Sequence, residues 1–183
     1  TTAEPRKVLV WGAQFTELLS YHRWNAGSSS WDSYLVTQDE QGSVTRLHDA
    51  AGNEVERIEY LPYGGRTVYV PAGGGSYTTQ VTSTVGLNVG YTGHRHDAES
   101  GLVYARNRYL HTEWGRFATV DPLGSWADGA NLGNAYAYVG NGAASRVDPS
   151  GLYSIAGGYG GGGRALSPGA NADGESVSAS DGN

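Results

Sequence analysis

The chain is predicted to be all-β, built of antiparallel hairpins rich in tyrosine and glycine, with an irregular Asp-Pro-x-Gly turn region after them and an extended glycine-rich C-terminal tail. Three observations point there. Short β-branched or aromatic runs alternate with Gly- or Asn-bearing turns, which is the hairpin pattern. Only 38% of the 183 residues are hydrophobic and 29 are glycine, so the core must be thin. Its large side chains are mostly tyrosine (13, against 5 Trp and 2 Phe), a ring that offers buried area while keeping a polar handle.

In chain order, Lys7 to Trp11 reads as a short strand ended by Gly12. The second half of the stretch from Phe15 to Trp24 reads equally as helix or strand, and Asn25 to Ser30 is a loop by composition. The clearest local pattern follows: strands at Tyr34–Thr37, Val44–His48 and Val55–Tyr60, separated by turns at Glu40-Gln41-Gly42 and Ala51-Gly52-Asn53, a three-stranded meander. Alternation in the third strand is imperfect, so its facing is not fixed by pattern alone. Thr67 to Val70 is a strand, and Tyr77 to Val85 reads as another with an uncharged, Thr-rich outer face. Gly101 to Leu110 (GLVYARNRYL) reads as one continuous strand whose arginines can reach carboxylates or lie on tyrosine rings.

Two units of the same kind then close the region, Asp121-Pro122-Leu123-Gly124 and Asp148-Pro149-Ser150-Gly151. Proline fixes φ and glycine accepts φ > 0, so each is a tight turn that begins with an acid. Taken with YTGHRHDAESGLVYARNRYL, GRFATVDPLG, NAYAYVGN and RVDPSGL, this order of motifs resembles the Rhs-repeat-associated core, the C-terminal end of the Rhs/YD-repeat family. The match covers roughly residues 8–152 and is strongest in its last third. Tyr60-Leu61-Pro62-Tyr63-Gly64 resembles the tyrosine motif of one YD repeat, and the resemblance favours strand for the second half of 15–24. Where the family usually has Tyr-Asp-Pro, this chain has Leu110-His111-Thr112-Glu113-Trp114-Gly115, a bulkier turn and a candidate contact with another subunit.

The resemblance implies a YD-repeat-like β-ribbon that belongs with a larger Rhs shell, and a domain at 1–152 followed by a tail at 153–183. It also implies chemistry. In some family members the core is an aspartate autoprotease that cuts after the Leu of the second DPxGL, and Asp121, Asp148 and Leu152 match the paired acids and the residue before the cut. Two carboxylates sharing a proton can activate water and protonate a leaving amide. The competing reading is that Asp-Pro-x-Gly is only a turn whose Asp accepts local N–H groups.

Other classes are poorly served. Cysteine is absent, which leaves neither disulfides nor thiolate metal sites. A net charge of −6 with scattered basic residues argues against a nucleic-acid surface. No apolar run approaches the ~20 residues of a membrane span. His94 and His96, beside Asp97 and Glu99, could place two imidazoles on one strand face, but no third ligand follows, so neither a metal nor a cofactor is expected. No P-loop or G-x-S-x-G elbow is present, and there is no Asn-x-Ser/Thr sequon, although the Ser/Thr-rich stretches could carry O-glycans. The chain opens with Thr1 and has no Met, as expected of a processed fragment or a piece of a longer polypeptide.

The tail is too glycine-rich to bury much apolar surface by itself. It is expected to be pinned by neighbouring copies, with Tyr153, Ile155, Tyr159 and Leu166 as anchors, in a head-to-tail homo-oligomer. The leading expectation is accordingly a structural subunit of a secreted or cell-surface filament, with self-cleavage after Leu152 as the enzymatic alternative and a glycan-binding adhesin as a third.

Overall fold

The computed structural model describes residues 6–14 and 16–157. Its first half is a seven-stranded antiparallel sheet in which spatial order follows chain order: β1 (Lys7–Trp11), β2 (Leu18–Asn25), β3 (Ser30–Gln38), β4 (Val44–His48), β5 (Glu54–Tyr60), β6 (Arg66–Gly73) and β7 (Ser76–Gln80). The ambiguous stretch before Asn25 is strand, and the expected three-stranded meander is the centre of this larger one.

The hairpins are set by a repeated device. At Asp39–Gly42 and Asp49–Gly52 the Asp carbonyl accepts from the Gly N–H at 3.0 Å in both, and each Gly has positive φ (80° and 85°). In each, Asp Oδ1 also accepts from the N–H groups two and four residues on, at 2.8–2.9 Å. An Asx turn thus supplies the hydrogen bonds that the chain loses in reversing direction.

One face of the sheet is apolar: Tyr21 stacks on Tyr34 with centroids 5.8 Å apart, beside Val44, Leu47, Ile58 and Val68. The opposite face is solvated, with the Arg57 guanidinium 4.8 Å over the Tyr69 ring and 4.7 Å over Tyr77. Glu56 explains the imperfect alternation in β5, because it lies on the apolar face and is fully buried. Its Oε1 accepts from Thr84 N–H, Thr84 Oγ1 and Val85 N–H.

Those donors belong to a strap, residues 81–89, that crosses the apolar face and buries Val85, Leu87 and Val89 against it. The expected long strand from Tyr77 to Val85 therefore ends at Gln80. Past that point the chain turns inward to cap the sheet, since a sheet with one apolar face must bury it against something.

The second half is a compact assembly of short elements. β8 (Arg95–His96), β9 (Val103–Tyr104), β10 (Tyr109–His111) and β11 (Arg116–Phe117) form a four-stranded antiparallel sheet, and β12 (Arg146–Val147) pairs with β13 (Ile155–Ala156). Three one-turn 3₁₀ segments lie at 91–93, 129–131 and 139–141. Tyr91, Val103, Leu110, Phe117 and Tyr138 form its core.

The expectation of one continuous strand at 101–110 is corrected. The chain reverses between Ala105 and Arg108, with Arg106 at φ 66°, so that Tyr104 faces Tyr109 and Val103 faces Leu110 across a hairpin. That reversal directs Arg108 into the interior.

Candidate functional site

Arg108 is the organising side chain, with none of its surface exposed. Its aliphatic stem and guanidinium lie against Phe117, the ring centroid 3.6 Å from Cζ. Nε donates to the Gly151 carbonyl and Nη1 to that of Ala135 at 3.3 Å. The two remaining contacts are charged: Nη1 lies 3.1 Å from Asp121 Oδ2, and Nη2 donates to Asp148 Oδ2 at 3.3 Å. Folding has brought the two sequence-predicted acids onto one guanidinium, with their side chains only 3% and 2% exposed.

Both acids sit in turns of the kind that builds the hairpins. Gly124 donates to the Asp121 carbonyl at 3.1 Å and Gly151 to that of Asp148 at 3.4 Å, with glycine φ of 101° and 73°. Asp121 Oδ1 accepts from Leu123 N–H at 2.9 Å, and Asp148 Oδ1 from Ser150 N–H at 3.3 Å. The turn reading accounts for Oδ1 of each acid, while Oδ2 of each reaches Arg108. At Asp39 the carboxylate is exposed and serves the backbone alone; burial and a shared cation set Asp121 and Asp148 apart.

Asp148 Oδ1 does more. It accepts from the N–H of Leu152 at 3.0 Å and of Tyr153 at 3.1 Å, so one carboxylate oxygen lies on the amide nitrogens at either side of Leu152. Burial pushes this carboxyl up to about 6, against the opposing effects of Arg108 and of the backbone donors at Leu152, Tyr153 and Gly151. A group titrating there can hold or release a proton near neutrality. Burial likewise lowers Arg108, and Asp121 and Asp148 work in the other direction.

Two participants were not singled out as site residues in the sequence. Arg108 was visible only as one of several arginines in a supposed strand; its i-to-i+3 turn hides in Ala-Arg-Asn-Arg. Asp128 lay in Asp-Gly-Ala-Asn, which reads as an ordinary turn or cap. It is buried, and its carboxylate accepts from both the N–H and the hydroxyl of Ser154 at 2.9 and 3.1 Å.

The histidine pair is part of the packing. His94 Nδ1 is 2.8 Å from Thr92 Oγ1, and His96 Nε2 accepts from Tyr91 N–H at 3.2 Å. Burial lowers His94 to about 4 and His96 to about 3, so both are neutral near pH 7. Among the described residues, no group of three or more His, Cys, Asp or Glu could hold a metal ion. At the bulkier turn, His111 and Trp114 stack on each other, with centroids 3.8 Å apart.

Of the four expected assembly contacts, Tyr153 is half-buried beside Asp148, and Ile155 pairs with Val147 of the same chain. Tyr159 and Leu166 lie outside the described residues. No helix among the described residues is long and apolar enough to cross a membrane.

An antiparallel meander followed by a turn-rich segment has counterparts among solved structures. The fold is that of TcdB2-TccC3 solved without its hypervariable C-terminal region, at TM-score 0.63 and 23% identity over 81% of this chain and 6% of that one. It is also that of the Photorhabdus luminescens Tc holotoxin pore carrying an aspartate-to-alanine substitution in TccC3, at TM-score 0.62, 21% identity and the same coverage. In sequence, the chain is 30% identical over 120 residues to the tRNA nuclease WapA of Bacillus subtilis (64% of this chain, 5% of WapA). It is 46% identical over 65 residues to the toxin protein Tse5 of Pseudomonas aeruginosa (34% of this chain, 4% of Tse5), and 31% identical over 122 residues to salivary gland surface protein 1 of Aedes aegypti (67% and 3%). No family model matches. The chain is Rhs-related, and it spans about 3–5% of the length of these curated relatives.

These relatives overturn the leading functional expectation. WapA and Tse5 are named as a nuclease and a toxin, and the structural neighbours are Tc-toxin components; these names do not fit the expected filament subunit or glycan-binding adhesin. The physical argument for a filament also weakens. It took the tail to be pinned by neighbouring copies, whereas at the start of that tail β13 pairs with β12 of the same chain.

Proposed function

We propose that this chain is the self-cleaving core of an Rhs-type toxin, in which Asp121 and Asp148 hydrolyse the Leu152–Tyr153 peptide bond and free the segment that follows. The observation that carries the reading is Asp148 Oδ1, 3.1 Å from the Tyr153 nitrogen that would become the leaving amine. The core is residues 1–152 and the released segment begins at Tyr153. Its partner is a larger Rhs shell, and the parent protein is secreted or displayed at the cell surface.

In the reaction, water attacks the Leu152 carbonyl carbon while the Asp121 carboxylate takes its proton. As the amide nitrogen becomes pyramidal its N–H swings off Asp148 Oδ1 and its new lone pair turns toward the carboxyl, and the protonated Asp148 gives it a proton as the C–N bond breaks. The products are the Leu152 carboxylate and the Tyr153 amine. Arg108 holds both acids in place and offsets negative charge on them; burial, acting against Arg108, lets Asp148 keep its proton up to about pH 6.

The test is a denaturing mass measurement of the purified 183-residue chain after incubation at pH 5–7. Cleavage yields a fragment beginning at Tyr153, and Asp121→Asn and Asp148→Asn each leave the chain intact. An unsubstituted chain that stays covalently whole through Asn183 would overturn the reading.

A further inference from the structure

Beyond the acid pair, we infer that Asp128 is a positioning residue for the same cleavage, one that fixes the chain on the product side of the bond; this rests on the reading above. Three consecutive N–H groups, those of Leu152, Tyr153 and Ser154, all point at carboxylates. Asp148 Oδ1 takes the first two, and Asp128 Oδ2 takes the third at 2.9 Å. Asp128 Oδ1 accepts from the Ser154 hydroxyl at 3.1 Å, so Ser154 is gripped at two atoms by two oxygens. Ser154 is only 3% exposed, and no water can take over these roles at low cost.

Asp128 is itself held rigidly. Its Oδ1 accepts from Ala130 N–H at 3.0 Å, capping the 129–131 turn, and its Oδ2 accepts from Asn131 Nδ2 at 3.3 Å. Asn131 Oδ1 in turn accepts from Gly140 N–H at 2.8 Å. The grip therefore belongs to the framework and not to a loop tip.

A peptide bond is attacked along one line, and the leaving nitrogen must meet its acid. Fixing Leu152 and Tyr153 from one side leaves rotation about the Tyr153 backbone free; holding Ser154 removes it. Displacement of about 1 Å at a reacting centre can cost on the order of 100-fold in rate. The prediction also assigns a preference: serine is favoured two residues after the cut because its hydroxyl adds a second bond to the same carboxylate.

Cleavage of the full chain is followed by denaturing mass in Asp128→Ala, Ser154→Ala, the double variant and Asn131→Ala. Asp128→Ala is expected to slow cleavage by roughly 10- to 100-fold. Ser154→Ala, which keeps the backbone N–H, slows it only several-fold. The double variant cleaves no more slowly than Asp128→Ala alone, since both act through one contact. Asn131→Ala, which removes one bond that steadies Asp128 but keeps the Asp128–Ser154 contact, slows cleavage less than Asp128→Ala does. Additive losses in the double variant, or equal losses in Asp128→Ala and Asn131→Ala, reduce Asp128 to a turn cap and overturn the inference. If the unsubstituted chain cleaves and Asp148→Asn does not, while Asp128→Ala cleaves normally, only this inference fails. A chain that never cleaves takes both down.

Discussion

At the scale of single residues, the carboxyl of Asp148 links chemistry to stability. Its folded-state titration near 6 lies above the ordinary Asp range near 3.9, so between these values the folded chain binds a proton that the unfolded chain has lost. The stability that Asp148 contributes is complete below about pH 4 and is lost as pH rises to about 6, a loss on the order of 2–3 kcal/mol. Asp121→Asn, uncleaved and retaining Asp148, should lose stability across that window in urea titrations. Adding Asp148→Asn should flatten the dependence. A slope of the opposite sign would mean that Arg108 and the N–H donors outweigh burial. The same titration predicts that cleavage falls above pH 6, where Asp148 no longer carries the proton it must give. Gly151 is the other residue on which the site depends: at φ 73°, with the space beside it filled by the Ala105 carbonyl, it has no room for a Cβ. Gly151→Ala should destabilise by at least about 1–2 kcal/mol and separate Arg108 from its second acid.

At the scale of elements, the strap shows how the fold overrides local preference. Glu56 is an acid on the apolar face of a central strand, which by itself is unfavourable. It is retained because Thr84 and Val85 present three donors to one oxygen and so fasten the strap across the core. Glu56→Ala leaves the buried Val85 N–H without its acceptor, while the exposed Thr84 can turn to water, and should cost about 1–3 kcal/mol; Glu56→Gln, which keeps the acceptor oxygen, should cost less. Urea midpoints measure both, and equal losses would show that packing, not the hydrogen bonds, is what matters. The contrast also marks what was legible in the sequence. Hairpins at 34–60 were readable because each turn carries its own Asp, Gly or Asn and each strand its own alternation. The strap was not, since Thr82 to Val85 has strand composition and its anchoring depends on Glu56, 28 residues before Thr84. Likewise the pair Asp121 and Asp148 could be named from the repeated Asp-Pro-x-Gly, whereas Arg108 could not be distinguished from Arg106 until the left-handed residue between strands was seen.

At the scale of the whole molecule, the sheet and the turn-rich half meet at Tyr60. Its ring contributes to both hydrophobic clusters, lying 5.8 Å from Tyr91 and 6.0 Å from His96, and its hydroxyl donates to the Val44 carbonyl at 3.0 Å. Around it, the first Asx turn docks onto the second half: Thr92 N–H donates to Ser43 Oγ at 3.1 Å, and Gln41 Nε2 to the Ala143 carbonyl at 3.0 Å. Tyr91 reaches back through its hydroxyl to the Pro62 carbonyl at 2.7 Å. Contacts on this scale make the halves one cooperative unit, so unfolding of the uncleaved Asp121→Asn chain should be a single transition by every probe. Adding Tyr60→Ala removes the shared ring at a cost of about 3–5 kcal/mol and should split that transition, with amide exchange at Leu152–Ser154 opening before exchange in β4 and β5. Tyr60→Phe deletes only the hydroxyl bond, about 1 kcal/mol, and should leave the transition whole. On the proposed mechanism, in which the acids need Arg108 held, a split transition also carries a kinetic signature: restoring Asp121 in the Tyr60→Ala chain should give cleavage that fails at urea concentrations where the meander is still folded. Coincident loss of cleavage and of sheet structure in that variant would show that the joint lies elsewhere.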